Sequence, residues 1–183
     1  MNKYTPGLGK VIFTEEQIKQ RVFTVAQEIN RDYEGQELVV ICILKGSLYF
    51  TADLTRLLTI PLKLDFLSIG ISHEEKAGGV RFTKELDQNL TGKHVLLVED
   101  VVGTGLTLGY ICQHIEAAKP ASLKICTLLD HPSERLITLN VDYRCFLMPD
   151  AFVVGFGLDY KQRYRNLPFI AEYHREAAAS PKE

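Results

Sequence analysis

Three short, strongly apolar segments, Leu38–Leu44, His94–Glu99 and Leu123–Leu129, leave this chain few folds to choose from. Leu38-Val39-Val40-Ile41-Cys42-Ile43-Leu44 is too short for a buried helix and too continuous for a strand with one wet face, so it reads as a strand covered on both sides. The other two segments read the same way. Between the three lie segments with helical character, about 47–58 and 105–118, the second stopped where Lys119 meets Pro120. Thr14, with Gln17 three residues on, resembles a capping box, and Ile18, Val22, Val25, Ala26 and Ile29 then recur at helical spacing, which predicts a first helix over 15–32. Strands that alternate with helices predict an α/β fold with a central, mostly parallel, twisted sheet flanked by helices.

Two regions depart from that alternation. Pro61–Ser72 and Val80–Leu86 read as strands joined by the charged, glycine-rich stretch 73–79, which predicts a β-hairpin with a mobile loop. Tyr143–Leu147, Phe152–Gly157 and Phe169–Tyr173 read as short strands forming a small hood. The expected plan is one domain, with a core over about 35–142 plus the N-terminal helix, a hood over about 143–175 joined by the N-terminal segment, and a frayed tail at 176–183.

With 183 residues, 21 Lys+Arg against 23 Asp+Glu and a net charge of −2, the chain carries no basic footprint for nucleic acid, so any anion site must be local. Cys42, Cys112, Cys126 and Cys145 form no CxxC pair and three of them sit in apolar runs, which predicts buried free thiols in a reducing compartment. No apolar leader precedes Lys10, and the longest apolar run is Leu38–Leu44. The expectation is a cytoplasmic protein with no membrane association.

The local anion site has a candidate address. The strand Val95–Val98 ends in the adjacent carboxylates Glu99 and Asp100, and Val101-Val102-Gly103-Thr104-Gly105-Leu106-Thr107 then turns into a helix. Glycines let backbone approach a ligand closely, and the amides at a helix start present donors at the positive end of its dipole, which makes a phosphate cradle. It is neither a Walker loop nor a dinucleotide fingerprint. Two acids before such a cradle suit a ribose phosphate, the acids accepting from the vicinal hydroxyls.

The stretch resembles the phosphoribosyl-diphosphate motif of the type I phosphoribosyltransferases, and among them of the hypoxanthine-guanine phosphoribosyltransferases. Leu44-Lys45-Gly46-Ser47 is similar to that family's pyrophosphate loop, Leu64-Asp65-Phe66 to the start of its hairpin, and Pro149–Tyr160 with Arg163–Pro168 to its purine-binding segment, so the likeness spans about residues 8–174. The resemblance implies Mg²⁺-dependent transfer of 5-phosphoribosyl from phosphoribosyl diphosphate to N9 of hypoxanthine or guanine, giving IMP or GMP and pyrophosphate, by a homodimer or homotetramer. It implies catalytic roles for Glu99, Asp100, Lys45 and Arg165, and ribose-phosphate binding by Glu99, Asp100 and Val102 through Thr107. Pyrophosphate would be bound by Lys45, Gly46 and Arg165, the purine by His131, Phe152, Val153 and Asp159, and the metal by Glu99, Asp100 and Asp159, the last through water. It also implies a cis peptide before Lys45 and a lid at about 70–80.

Three positions depart from the family pattern. Gly103 stands where the family has an aspartate, its candidate general base; His131 stands where it has a purine-contacting lysine; and Ile71-Ser72 replaces the serine-tyrosine pair that begins its loop. Two functions are therefore expected to compete: a salvage enzyme in which His131 or a water handles the purine proton, and a catalytically impaired sensor that binds nucleotide without turnover.

Overall fold

Thr14 opens the first helix as its spacing predicts. The Gln17 N–H donates to the Thr14 hydroxyl at 3.3 Å and the Thr14 N–H donates to Gln17 Oε1 at 2.9 Å, satisfying donors that a helix start leaves open. The structure, a computed structural model, describes residues 7–71 and 80–175. Its elements in chain order are β1 (Leu8–Phe13), α1 (Glu15–Asp32), β2 (Leu38–Leu44), α2 (Leu48–Leu57), β3 (Leu62–Ile71), β4 (Val80–Lys84), β5 (His94–Val102), α3 (Leu106–Ala117), β6 (Ser122–Asp130), a 3-10 turn at Pro132–Glu134, β7 (Tyr143–Leu147), β8 (Val153–Val154) and β9 (Ile170–Tyr173).

The main sheet runs β4-β3-β2-β5-β6-β7, parallel throughout except for the β3–β4 hairpin. Successive side chains of a strand point to opposite faces. Leu38 and Val40 of β2 and Leu96 and Val98 of β5 therefore join Ile18, Val22, Val25 and Ile29 of α1 with Phe50 and Leu54 of α2. On the other face Val39, Ile41, Ile43, Val95 and Leu97 pack with Leu108, Ile111 and Ile115 of α3. Both faces are covered, as the continuous apolar runs require. From β2 the chain first moves outward to β3, then crosses back to β5 on the other side of β2. The β2–β5 boundary is thus the switch point of the sheet, the place where open α/β sheets bind ligands at the strands' carboxyl ends.

The hood is a separate three-stranded sheet, β1-β9-β8, antiparallel throughout. It differs from expectation in two respects. Tyr143–Leu147 pairs parallel to β6 and completes the core sheet, so the hood begins after residue 147 rather than at 143. Of the run Phe152–Gly157 only Val153–Val154 is strand, because Gly155, Phe156 and Gly157 take φ of 105°, 48° and 101°, which a ladder cannot continue. The lid loop and the frayed tail expected at 73–79 and 176–183 lie outside the described residues.

All four cysteines are free and buried. Burial pushes Cys112 up to about 11 and Cys145 up to about 12, and raises Cys126 well above the ordinary thiol range, so they behave as small hydrophobes.

Asp65 ties the hairpin to the core. Its side chain is 2% exposed, and its carboxylate accepts the N–H groups of Phe66 at 2.7 Å, Asp87 at 2.8 Å and Gln88 at 2.9 Å. The segment leaving β4 is thereby bonded back to β3. Asp65→Ala leaves two amides of the 87–88 turn without their acceptor, and is expected to lower stability in urea by about 2–4 kcal/mol; Asp65→Asn, which keeps one carbonyl oxygen, should recover part of that loss.

Candidate active site

The predicted cradle forms where β5 ends. Gly105 caps α3 in the left-handed region, φ 82°, with no side-chain cap, and the Gly109 N–H makes the first bond of the helix, to the Gly105 carbonyl at 2.7 Å. The amides of Thr107 and Leu108 are the donors that this geometry leaves open at the helix start. The Leu106 N–H donates to Thr104 Oγ1 at 3.5 Å. The Leu106 side chain is 52% exposed, and that of Val102 is buried.

Across the β2–β5 boundary lies the turn at Lys45–Ser47. The Leu44–Lys45 peptide is cis, as the resemblance implies. Gly46 faces the Asp100 carboxylate so closely that a Cβ there would stand 1.6 Å from Asp100 Oδ2. From the other direction a Cβ on Gly157 would stand 1.9 Å from the Gly46 carbonyl oxygen. Gly157, at φ 101° against backbone, must therefore be glycine, and any side chain at 46 must displace the Asp100 carboxylate. The Lys45 side chain is exposed, and among the described residues none forms an ion pair with it.

Arg165 closes the site from the hood. Its guanidinium donates to the Gly157 carbonyl at 2.6 Å and pairs with Asp159 at 2.6 Å, while its own carbonyl accepts the Gly157 N–H at 2.9 Å. Its Nε is buried and has no acceptor among the described residues. The second Asp159 oxygen accepts the Gln162 N–H at 2.7 Å. Glu99, Asp100, Val102, Gly103, Thr104, Gly105, Thr107, Gly46, Asp159 and Arg165 all line one cavity of about 440 Å³.

Other expected residues lie elsewhere. Lys45 and Leu106 border the cavity from their turns without lining it. His131 follows β6; its N–H donates to the Val102 carbonyl at 2.9 Å and its Nδ1 lies 3.2 Å from Glu134. Phe152 packs edge-on to Tyr160 and Tyr173, and the Arg175 guanidinium covers its ring at 3.8 Å. It lines a second cavity with Tyr173, His174 and Arg175. Val153 is buried in β8 opposite Glu172. Glu99, Asp100 and Asp159 line the same cavity, Asp159 paired with Arg165; among the described residues no three carboxylate, His or Cys side chains converge on one point.

Sequence reasoning passed over a second carboxylate at a strand end. Asp130, 4% exposed, pairs with Arg135 and, at 3.1 Å, with Arg144. Arg135 also donates to the Gly103 carbonyl at 2.8 Å. The signal was present: Asp130 ends an apolar strand as Asp100 does, and an arginine follows within one short turn.

Burial and the neighbouring Asp100 charge push Glu99 well above the usual carboxylate range. A carboxyl whose pKa is raised by folding binds its proton more tightly in the folded chain, so the stability it contributes is present below the ordinary value and is lost as pH rises through the raised one. The contribution of Glu99 to the urea midpoint is expected to decline as pH rises above about 4. Glu99→Gln should remove that part of the decline and be the more stable chain near neutral pH.

A model of the phosphoribosyl transferase domain family matches residues 10–161. The hypoxanthine-guanine phosphoribosyltransferase of Streptococcus thermophilus is 34% identical over 171 residues, covering 92% of this chain and 95% of its own. That of Mycobacterium bovis is 38% identical over 175 residues, covering 91% and 87%. A solved structure of a hypoxanthine-guanine phosphoribosyltransferase from Bacillus anthracis, with a HEPES molecule in its active site, shares 44% identity and a TM-score of 0.86 over 92% of this chain and 98% of that one. A sheet whose switch point carries a glycine-capped helix start beside two adjacent carboxylates thus meets relatives matched along nearly their whole lengths, and the chain belongs to the phosphoribosyltransferase family, among its hypoxanthine-guanine members.

Proposed function

We propose that this chain is a purine-salvage enzyme that transfers 5-phosphoribosyl from phosphoribosyl diphosphate to N9 of hypoxanthine or guanine, releasing pyrophosphate and forming IMP or GMP. The observation that carries this reading is the single cavity in which anion-binding amides, two adjacent carboxylates and the hood's Arg165 face one another. The cradle at Val102–Thr107 is suited to the 5′-phosphate, and Glu99 and Asp100 to the ribose diol. The turn at Lys45 and Gly46, with Arg165, is suited to the departing pyrophosphate, where negative charge grows as the glycosidic bond breaks.

The donor set fits Mg²⁺, a hard cation that keeps several waters and takes carboxylate and substrate oxygens. Glu99 and Asp100 would support it directly and Asp159 through water; bound there, it would supply neutralisation of the pyrophosphate charge. His131 is proposed to serve the base side. Purine stacking on Phe152 requires Arg175 to leave the ring face it covers. We further propose a cytoplasmic location, supported by four buried free thiols. A homodimer or homotetramer is proposed on the exposed Phe23 of α1 and Leu48 and Tyr49 of α2. Among the described residues no helix is long and apolar enough to cross a membrane. No observation favours the non-catalytic sensor over the enzyme.

Steady-state assays with phosphoribosyl diphosphate, Mg²⁺ and each of hypoxanthine, guanine, xanthine and adenine test the reading. Turnover above about 1 s⁻¹ with a 6-oxopurine is expected; tight nucleotide binding without pyrophosphate release would overturn it. Lys45→Ala removes an ammonium whose charge-assisted hydrogen bonds are worth about 1.5–3 kcal/mol, so kcat/KM for phosphoribosyl diphosphate should fall by roughly 10- to 10²-fold.

A further inference from the structure

Gly103 lines the cavity at the point where β5 gives way to the cradle, and it contributes no side chain. The space a side chain would enter is not empty of chemistry. A Cβ on Gly103 would stand 3.4 Å from Glu134 Oε2, and apart from residues 102–104 no other described atom comes within 4 Å of it.

Glu134 is brought there by a fixed piece of backbone. The segment that carries it is bonded to three successive carbonyls of the cradle: the His131 N–H to Val102 at 2.9 Å, the Arg135 guanidinium to Gly103 at 2.8 Å, and the Leu136 N–H to Thr104 at 2.9 Å. The Glu134 N–H donates to the His131 carbonyl at 3.1 Å, and its carboxylate meets His131 Nδ1 at 3.2 Å. The neighbouring acids are already engaged. Asp130 is held by Arg135 and Arg144, and Asp159 by Arg165 and the Gln162 amide. Glu134 has no guanidinium partner among the described residues, and its side chain is 59% exposed, so His131 is the one described side chain that engages its carboxylate.

We propose that Glu134, oriented by His131, is the carboxylate that accepts the purine proton in this chain, acting across the gap left by the glycine at 103. The inference rests on the transfer reaction proposed above. In that reaction a nitrogen lone pair of the purine forms the bond to ribose C1′. The C1′–O bond breaks with its electron pair leaving on pyrophosphate. The N–H proton that the base sheds goes to the Glu134 carboxylate. Exposure gives the carboxyl a route to return that proton to solvent. The backbone staples hold its distance from the cradle.

The test is a double-mutant cycle of Glu134→Gln and Gly103→Asp, with kcat and KM measured on each chain in Mg²⁺ and with folding checked by urea midpoint. Glu134→Gln is expected to lower kcat by roughly 10²-fold, the lower end of what general acid–base assistance supplies, with little change in KM for phosphoribosyl diphosphate. Gly103→Asp, made in the Glu134→Gln chain, should restore most of that loss, because the open side of Gly103 admits a carboxylate to the same space. An unchanged kcat in Glu134→Gln, or the same loss whether or not the second substitution is present, would show a structural or bystander role and overturn the proposal. Absence of turnover by the unaltered chain would overturn the transfer reaction itself and this inference with it.

Discussion

Gly46 is pinned between a carboxylate and a backbone turn, and the rest of the site takes its positions from that contact. Asp100 approaches from the end of β5, and Gly157, at φ 101°, brings the hood down onto the Gly46 carbonyl. The Asp100 carboxylate occupies the volume of the methyl missing from Gly46, and the Gly46 carbonyl that of the methyl missing from Gly157. Close-packed interiors transmit such displacements rather than absorbing them. A side chain at 46 would displace the Asp100 carboxylate, and one at 157 would push the hood off the Gly46 carbonyl and carry Arg165 with it, since Arg165 and Gly157 exchange two hydrogen bonds. Strand order, cradle and hood are thus coupled through backbone contacts, which is why the cavity can be lined by so few side chains and still present charge from three segments.

This coupling also explains which parts were legible in the sequence. The core was, because burial on both faces of a parallel sheet leaves apolar runs whose length and spacing have no other explanation, as in Leu38–Leu44 and Leu123–Leu129. The cradle was legible because adjacent acids followed by Gly-Thr-Gly at a strand end carry their chemistry locally. The hood was not. Tyr143–Leu147 has the short alternating character of an edge strand in either sheet, and only the Asp142 carboxylate bonded to the Ile125 amide, with the β6 ladder, decides for the core. Phe152–Gly157 looks like a continuous strand until three successive positive φ values break it, and the non-glycine Phe156 gives no sign of its own. The Arg175 that covers Phe152 and the Arg144 that is the second partner of Asp130 are separated from them in sequence by loops, and nothing local sets which guanidinium reaches which side chain.

The charge of the cavity follows from the same accounting. Glu99, Asp100 and Asp159 face it against one guanidinium, Arg165, that is already paired. A bare polyanion entering such a space would meet net negative charge in a region where burial already raises the Glu99 pKa. Attraction therefore has to come from elements that carry no formal countercharge inside the protein: the open amides of Thr107 and Leu108 and the exposed Lys45 at the rim. That arrangement suits a chain of net charge −2. A strongly basic cavity would hold an anionic product as firmly as the anionic substrate before it, whereas neutral amides and a solvent-screened lysine at the rim attract the anion without trapping it.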